Sequence, residues 1–196
     1  EYLATTSLGD LVRKTKETNI AAEVNVDGIG DAKVKTGIKF LDHMIASIAK
    51  HSMIDIKLQG NGDLVHHLVE DVGITLGEAL DKALGNRAGI ARFGSAYVPM
   101  DDSLAYAAID LAKRPYSVLE LKIDKDGIED IPAEDIYHFL QSLATSLQAN
   151  IHVIVQYGQN DHHKVEAGFK ALALSLRQAC TVDARRKGLP SLKGKM

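Results

Sequence analysis

Apolar and polar residues alternate along this chain with two different periods. The segment IAAEVNVD alternates residue by residue, which is typical of a strand with one buried face. The segment FLDHMIASIAKH instead places Phe40, Met44 and Ile48 on one side of a helix. The two patterns predict strands at 20–27, 53–60, 103–112, 116–124 and 150–158, and helices at 40–51, 67–84, 133–147 and 162–179. We expect the helix 67–84 to be N-capped near Asp63.

The same order of elements occurs twice, which indicates an internal repeat. His43 and His138 lie 95 residues apart, and His66 and His162 lie 96 apart, so both pairs occupy equivalent positions. We predict an α+β fold of two βαβα-type halves, each packing a small mixed or antiparallel sheet against a pair of helices. The halves are placed at 1–90 and 91–196, and they meet in the Gly- and Arg-rich segment NRAGIARFG (86–94).

Two segments, HHLVED (66–71) and HHKVEA (162–167), each carry a histidine pair followed by a glutamate. Residues i and i+4 of a helix share a face, so the first histidine of each pair should project with the glutamate. The second histidine should point about 100° away. Together with the register-matched His43 and His138, the two segments offer six imidazoles and two carboxylates. Without a thiolate, this set suits Mn²⁺, Fe²⁺, Co²⁺, Ni²⁺ or Zn²⁺: His43, His66, His67, Glu70, His138, His162, His163 and Glu166.

A polar helix start would explain one such segment, but it explains two segments in register poorly. The two remaining histidines, His51 and His152, do not follow the repeat. We interpret them as a polar helix end and a strand residue.

Composition narrows the class of protein. The net charge of −3 argues against general nucleic-acid binding, and no apolar run reaches the roughly 18 residues of a membrane span. The N-terminal EYLATTSLGDLVRK lacks the apolar region of a secretory signal. The single cysteine, Cys180, excludes an internal disulfide framework and favours the cytoplasm; its apolar surroundings indicate a core residue rather than a nucleophile.

Over nearly its whole length the chain resembles imidazoleglycerol-phosphate dehydratase, a family of histidine biosynthesis. The ordered motifs carry this resemblance: RKTKET (13–18), DGIGDAKVKTGIKFLDHM (27–44), HHLVEDVGITLGEAL (66–80), VPMDDSL (98–104), KRPY (113–116), NDHHKVEAGFKALALSLRQA (160–179) and PSLKG (190–194). The resemblance implies a duplicated fold of the ribosomal protein S5 domain 2-like type. It also implies two Mn²⁺ ions per active site and a homo-oligomer of twenty-four subunits with active sites shared between neighbours.

The implied reaction is the metal-dependent dehydration of imidazole glycerol phosphate to imidazole acetol phosphate, through an imidazolate or diazafulvene-like intermediate. By resemblance, the eight residues named above are the metal ligands, and Glu17 is the acid/base residue. Asp101 lines the pocket. The positions matching phosphate-binding residues are Arg92, Arg114, Lys170, Ser191 and Lys193.

This chain departs from the family pattern in the loop before the first histidine pair. The family usually has a few more residues there, including an aspartate, whereas this chain has the short GDLVHH. A carboxylate often fixes the orientation of a ligand imidazole, so the shortened loop bears on the orientation of His66. The tail also reads PSLKG, with leucine where threonine is common, and we expect little effect from that.

Two other functions fit the histidines alone. A metal storage protein would use the same ligands without chemistry, and it would need neither Glu17 nor the basic residues. A different metal-dependent lyase or hydrolase could use the same scaffold, because a fold does not fix a function. An attached phosphatase domain is not expected within 196 residues.

Overall fold

The structure, a computed structural model, describes residues 7–196. The expectation about a secretory signal falls partly on residues 1–6, which lie outside the described residues. The first half contains β1 Leu8–Lys14, β2 Thr18–Asn25, β3 Ala32–Lys35, α1 Lys39–Ser52, β4 Asp55–Gly62 and α2 Val65–Leu84. The second half contains β5 Phe93–Met100, β6 Ser103–Asp110, β7 Tyr116–Glu120, β8 Gly127–Ile128, β9 Ile131–Pro132, α3 Ala133–Leu147, β10 Asn150–Tyr157 and α4 Asp161–Cys180.

The two halves have the same sheet topology. The first sheet has the order β1-β2-β4-β3 and the second has the order β5-β6-β10-β7. In each sheet the first two pairings are antiparallel and the last is parallel. The β1–β2 and β5–β6 hairpins also share one register. Leu8 pairs with Asn25 in the first, and the residues 85 positions later, Phe93 and Asp110, pair in the second. The predicted α+β class with repeated halves is confirmed; the boundary at residue 90 stays a prediction.

Alternation in the central strands buries one face of each sheet. Every second residue of β2 is buried, as is every second residue of β6. The helices present their apolar stripes to the same space, and residues of both sheets and all four long helices form one continuous hydrophobic core. Burial of these apolar stripes is the main force that holds the helices on the sheets.

The helices pack across the two halves. Helix α2 packs on α3, and α1 packs on α4, while α2 also contacts β1, β2 and β4 and α4 contacts β5, β6 and β10. Each half therefore contributes one four-stranded sheet and two helices, and the helices of one half pack directly on the helices of the other.

The number of strands predicted from the sequence was too low. Strands β1, β3 and β5 were not predicted, and all three lie at an edge of a four-stranded sheet; the short two-stranded sheet β8-β9 was not predicted either. Edge strands bury few side chains, so their apolar alternation is weak: β3, AKVK, buries none. The predicted strand 116–124 ends at Glu120, shortly before Lys122 adopts a positive φ of 53°.

The N-cap prediction for the helix 67–84 was wrong. Helix α2 begins two residues earlier, and its N-cap residue, Leu64, makes no side-chain capping bond. The Asp63 carboxylate instead accepts a hydrogen bond from the Leu64 amide and lies 2.9 Å from Nδ1 of His67. Within residues 7–196, no helix is both long and apolar enough to cross a bilayer.

Gly94 and its equivalent Gly9 allow a strand to pass close to a helix. A Cβ atom at Gly94 would overlap the carbonyl oxygen of Ser175 on α4, and a Cβ at Gly9 would overlap that of Ala79 on α2. These obstacles are backbone atoms, so they cannot move aside by a change of rotamer. The close contact fixes the height of each histidine-bearing helix above its sheet.

The substitution Gly94→Ala should therefore destabilise the fold. Overpacking costs about 1–3 kcal/mol, which lowers the melting temperature of a chain of this size by ~2–12 °C. Thermal unfolding measures the effect, with Ser95→Ala as the control because the Ser95 side chain is exposed. Equal melting temperatures for both variants and the parent protein would show that this contact is not a constraint.

Candidate metal centre

Three of the predicted ligands converge where α1 packs against α4. Oε2 of Glu166 lies 3.2 Å from Nε2 of His162 and 3.7 Å from Nε2 of His43. A ligand atom from each of the three residues lies within 4.8 Å of the other two. We call these three residues the α4 cluster. His43 belongs to the first half and the other two residues to the second, so the cluster exists only because the helices pack across the halves.

The Glu166 carboxylate is fixed on both oxygens. Oε1 lies 2.9 Å from Nζ of Lys170, one turn further along α4, which leaves Oε2 facing the two histidines. Burial acts to raise the pKa of Glu166, but the hydrogen bond and the charge of Lys170 outweigh it, so the pKa falls below its ordinary value. Glu166 therefore stays ionised around neutral pH, the form that binds a cation.

The α4 cluster fits a divalent metal ion. Two imidazoles and a carboxylate, without a thiolate, form a donor set that suits Mn²⁺ and its first-row neighbours. Ligands bonded at about 2.1 Å lie roughly 3 Å apart when they are adjacent around one octahedral ion. The 3.2 Å between Glu166 and His162 is close to that spacing.

The equivalent residues of the other half-to-half contact, between α2 and α3, are arranged less tightly. His66 of α2 and His138 of α3 form an edge-to-face pair with ring centroids 4.7 Å apart. Glu70 is exposed. Within residues 7–196, the α4 cluster is the only group that brings three ligand atoms together. Glu70 was predicted to project beside His66, but within one chain these two residues and His138 do not form a convergent site.

The second histidine of the α4 segment contacts the β5–β6 turn. Nδ1 of His163 lies 2.6 Å from Asp102, and Nε2 lies 3.6 Å from Asp101. The hydrogen bond to Asp102 raises the pKa of His163 and holds the pKa of Asp102 far below its usual range. His163 thus projects away from Glu166, as the helical period predicts.

His67 has a matching environment on α2. Nδ1 of His67 lies 2.9 Å from Asp63 and 3.6 Å from Glu17, which is exposed in the β1–β2 turn. The hydrogen bond to Asp63 is the main cause of the raised pKa of His67. The predicted acid/base residue Glu17 therefore lies beside a predicted metal ligand while its side chain stays exposed.

Sequence reasoning missed the carboxylates that contact the histidines: Asp63, Asp102, Glu129 and Asp135. Two of them could have been found. The 85-residue offset of the hairpins makes Asp102 the repeat equivalent of Glu17, and each approaches the second histidine of its own half. Asp63 lies four residues before His67, a spacing that brings side chains together at a helix start. The contacts of Glu129 and Asp135 depend on an irregular loop and on helix packing, so the sequence did not indicate them.

The predicted phosphate-binding residues do not form one group within the chain. The Arg92 guanidinium pairs with Asp110 and donates to the carbonyl oxygen of Pro190, which places it beside Ser191. Lys170 belongs with Glu166 at the α4 cluster. Within residues 7–196, the side chains of Arg114 and Lys193 are exposed and make no hydrogen bond or ion pair.

The residues interpreted as structural lie where those interpretations expected. Cys180 packs partly buried against the core, and burial raises the pKa of its thiol to about 12, so it carries no thiolate at neutral pH. His51 lies in the last turn of α1, and His152 lies in β10.

The fold and the site define an internally duplicated α+β protein with histidine and carboxylate groups gathered between its halves. The chain belongs to the imidazoleglycerol-phosphate dehydratase family, whose model matches residues 36–176. This confirms the resemblance carried by the ordered motifs.

Relatives and solved structures agree with this assignment. Imidazoleglycerol-phosphate dehydratase from Methanothermobacter thermautotrophicus is 50% identical over 187 residues, 94% of this chain and 95% of the relative. The protein of that name from Dehalococcoides mccartyi is 49% identical over 183 residues, 93% of each chain. A crystal structure of the Pyrococcus furiosus enzyme matches with a TM-score of 0.83 at 38% identity, covering 95% of this chain and 100% of that one.

Proposed function

We propose that this chain dehydrates imidazole glycerol phosphate to imidazole acetol phosphate in histidine biosynthesis, as a hydro-lyase that depends on divalent metal, with Mn²⁺ as the first candidate. The α4 cluster is the observation that carries the metal dependence: a buried carboxylate and two imidazoles converge in a member of the dehydratase family. A storage protein would have the same ligands but would not turn over this substrate.

The chemistry explains why the enzyme needs a cation at the imidazole. The carbon that loses a proton has no neighbouring carbonyl group, so the substrate ring is the available electron sink. The ring first gives up its N–H proton, and the hydroxyl on the ring-bound carbon leaves as water, which produces a diazafulvene-like ring. Loss of a proton from the next carbon returns electrons to the ring, a ring nitrogen takes up a proton, and the resulting enol becomes the ketone. Bound divalent cations would lower the cost of negative charge on the ring.

The chain's own residues hold the reactants and move the protons. His43, His162 and Glu166 would hold one ion, and Lys170 keeps the Glu166 carboxylate turned toward it. Glu17 is the proposed proton carrier. Its carboxylate is exposed and lies beside His67, so it can exchange protons with the bound substrate and with solvent.

Basic residues would anchor the phosphate group. Arg offers two-pronged contacts to phosphate oxygens and Lys offers a compact charge. Arg92 already holds the carbonyl of Pro190, so phosphate binding there would involve the PSLKG tail with Ser191 and Lys193. Arg114 and Lys170 complete the proposed set, and Asp101 lines the pocket beside His163.

We propose that the active site is completed between subunits of a homo-oligomer of twenty-four chains. Three features support this. The side chains of His67 and His163 contact the loop carboxylates Asp63 and Asp102 and are not part of the α4 cluster. The predicted phosphate ligands are divided among separate places in one chain. Large apolar side chains are also exposed on strands of both halves, including Val12, Phe93 and Tyr97. Sedimentation velocity measures the oligomeric state directly. We place the reaction in the cytoplasm, where a chain with one cysteine stays reduced.

Metal removal should abolish turnover. Protein stripped with a chelator should be inactive on imidazole glycerol phosphate, and Mn²⁺ should restore activity, measured as ultraviolet absorbance of the product enol in alkali. His162→Ala should reduce turnover by more than about a hundredfold because it deletes a ligand, whereas the matched control His152→Ala should retain it. Full activity in stripped protein would refute metal dependence; metal binding without turnover would favour a storage role.

Glu17→Gln should lower kcat about 10²- to 10⁴-fold, the usual contribution of a general acid or base. Metal content should stay unchanged, because Gln keeps the size of the side chain and Glu17 is not a proposed ligand. Glu23→Gln is the matched control, since Glu23 is an exposed glutamate on β2 that pairs with Lys57. If kcat of Glu17→Gln equals that of the control, another group carries the proton.

A further inference from the structure

Asp135 is a buried carboxylate that contacts a predicted metal ligand. It lies in the first turn of α3, and its side chain is 3% exposed. Oδ1 of Asp135 lies 2.6 Å from Nδ1 of His66 on α2. Within residues 7–196, this is the only side-chain hydrogen bond or ion pair that Asp135 makes.

Asp135 also shares a face of α3 with His138, one turn further along. The His138 ring meets the His66 ring edge-to-face, with centroids 4.7 Å apart. One face of α3 therefore gives the His66 ring both a carboxylate on Nδ1 and a second imidazole neighbour.

The internal repeat shows what this position holds in the other half. The 95-residue offset between His43 and His138 makes Phe40 the equivalent of Asp135. Phe40 contacts the equivalent histidine, His162, edge-to-face with centroids 5.0 Å apart. The fold thus places this residue against the first histidine of the opposite half in both copies, with an apolar ring in one and a carboxylate in the other.

Nδ1 of His162 obtains its carboxylate from a different place. Oε1 of Glu129, in the β8–β9 turn, lies 3.1 Å away, and the Glu129 side chain is 60% exposed. His66 is therefore held by a buried carboxylate on a helix, while His162 is held by an exposed one on a turn. The two halves differ at this point although their topology is the same.

Packing does not explain a carboxylate at this position. Burying a carboxylate is unfavourable unless it is paired, and apolar replacements for buried charges are often neutral or stabilising. The Phe40 arrangement shows that an apolar side chain fills the equivalent space. The first turn of α3 favours a negative charge, but within residues 7–196 the one side chain that the Asp135 carboxylate contacts is His66, so we expect it to act on that imidazole.

We propose that Asp135 is a positioning residue that accepts the Nδ1–H of His66 and presents the Nε2 lone pair of His66 as a metal ligand beside His138. This inference rests on the proposed function, which makes His66 a ligand. It gives His66 the fixed tautomer and ring orientation that a carboxylate provides to a ligand imidazole. It also supplies His66 with a carboxylate from the opposite half, whereas the carboxylate of the shortened GDLVHH loop, Asp63, contacts His67.

Metal affinity tests the proposal, with one conservative and one apolar variant. Asp135→Asn keeps the shape and an acceptor oxygen but removes the charge, while Asp135→Leu copies the apolar character of Phe40. The matched control is Glu134→Gln, because Glu134 is the neighbouring exposed acidic residue on α3. Mn²⁺ binding is followed by the electron paramagnetic resonance signal of free Mn²⁺, and Co²⁺ loading by visible absorption.

We expect one class of metal sites to weaken about ten- to a hundredfold in Asp135→Leu, less in Asp135→Asn, and not at all in Glu134→Gln. The other class, at the α4 cluster, should keep its affinity in every variant. The melting temperature of Asp135→Leu in chelator should equal or exceed that of the parent, which separates positioning from a structural role.

The outcomes also separate this inference from the proposed function. If the parent binds two classes of Mn²⁺ and Asp135→Leu binds both equally well, the positioning role is wrong and the dehydratase proposal stands. If both classes weaken together with the melting temperature, Asp135 is structural. If the parent itself binds no Mn²⁺, the proposed metal dependence fails and the positioning role fails with it.

Discussion

The packing of helices across the two halves is the constraint on which the site depends. His43 reaches Glu166 because α1 lies on α4, and His138 reaches His66 because α3 lies on α2. Among residues 7–196, neither half alone brings three ligand atoms together. The apolar stripes that form the common core therefore also fix the distances between the ligand atoms, which couples stability and site geometry.

Carboxylates surround the imidazoles and give each histidine a defined role. The four histidines of the two repeated segments each place Nδ1 against an acidic side chain: Asp135, Asp63, Glu129 and Asp102. Such contacts orient a ring and leave Nε2 directed elsewhere. A cation bound at Nε2 would thus find ligands whose orientation is already set, which lowers the entropy lost on binding.

The sequence predicted the duplication and the long helices because both depend on local patterns. Repeated spacing revealed equivalent histidines, and helical periodicity explained why His162 faces Glu166 while His163 turns away. Pairing between halves was beyond that reasoning, since a repeat relates one half to the other without saying which helices touch. Asp135 shows this limit well: its neighbours in sequence indicate an ordinary helix start, and its contact with His66 appears only after α3 is placed on α2. The edge strands were missed for a related reason, because a strand that buries little leaves little pattern.

Anomalous X-ray scattering from crystals of Mn²⁺-loaded protein tests the central claim, that packing across the halves builds a metal centre. We predict a manganese peak between His43, His162 and Glu166, bonded to Oε2 of Glu166, and a second peak at His66 and His138. Manganese bound only at places that involve neither helix contact between the halves would contradict it.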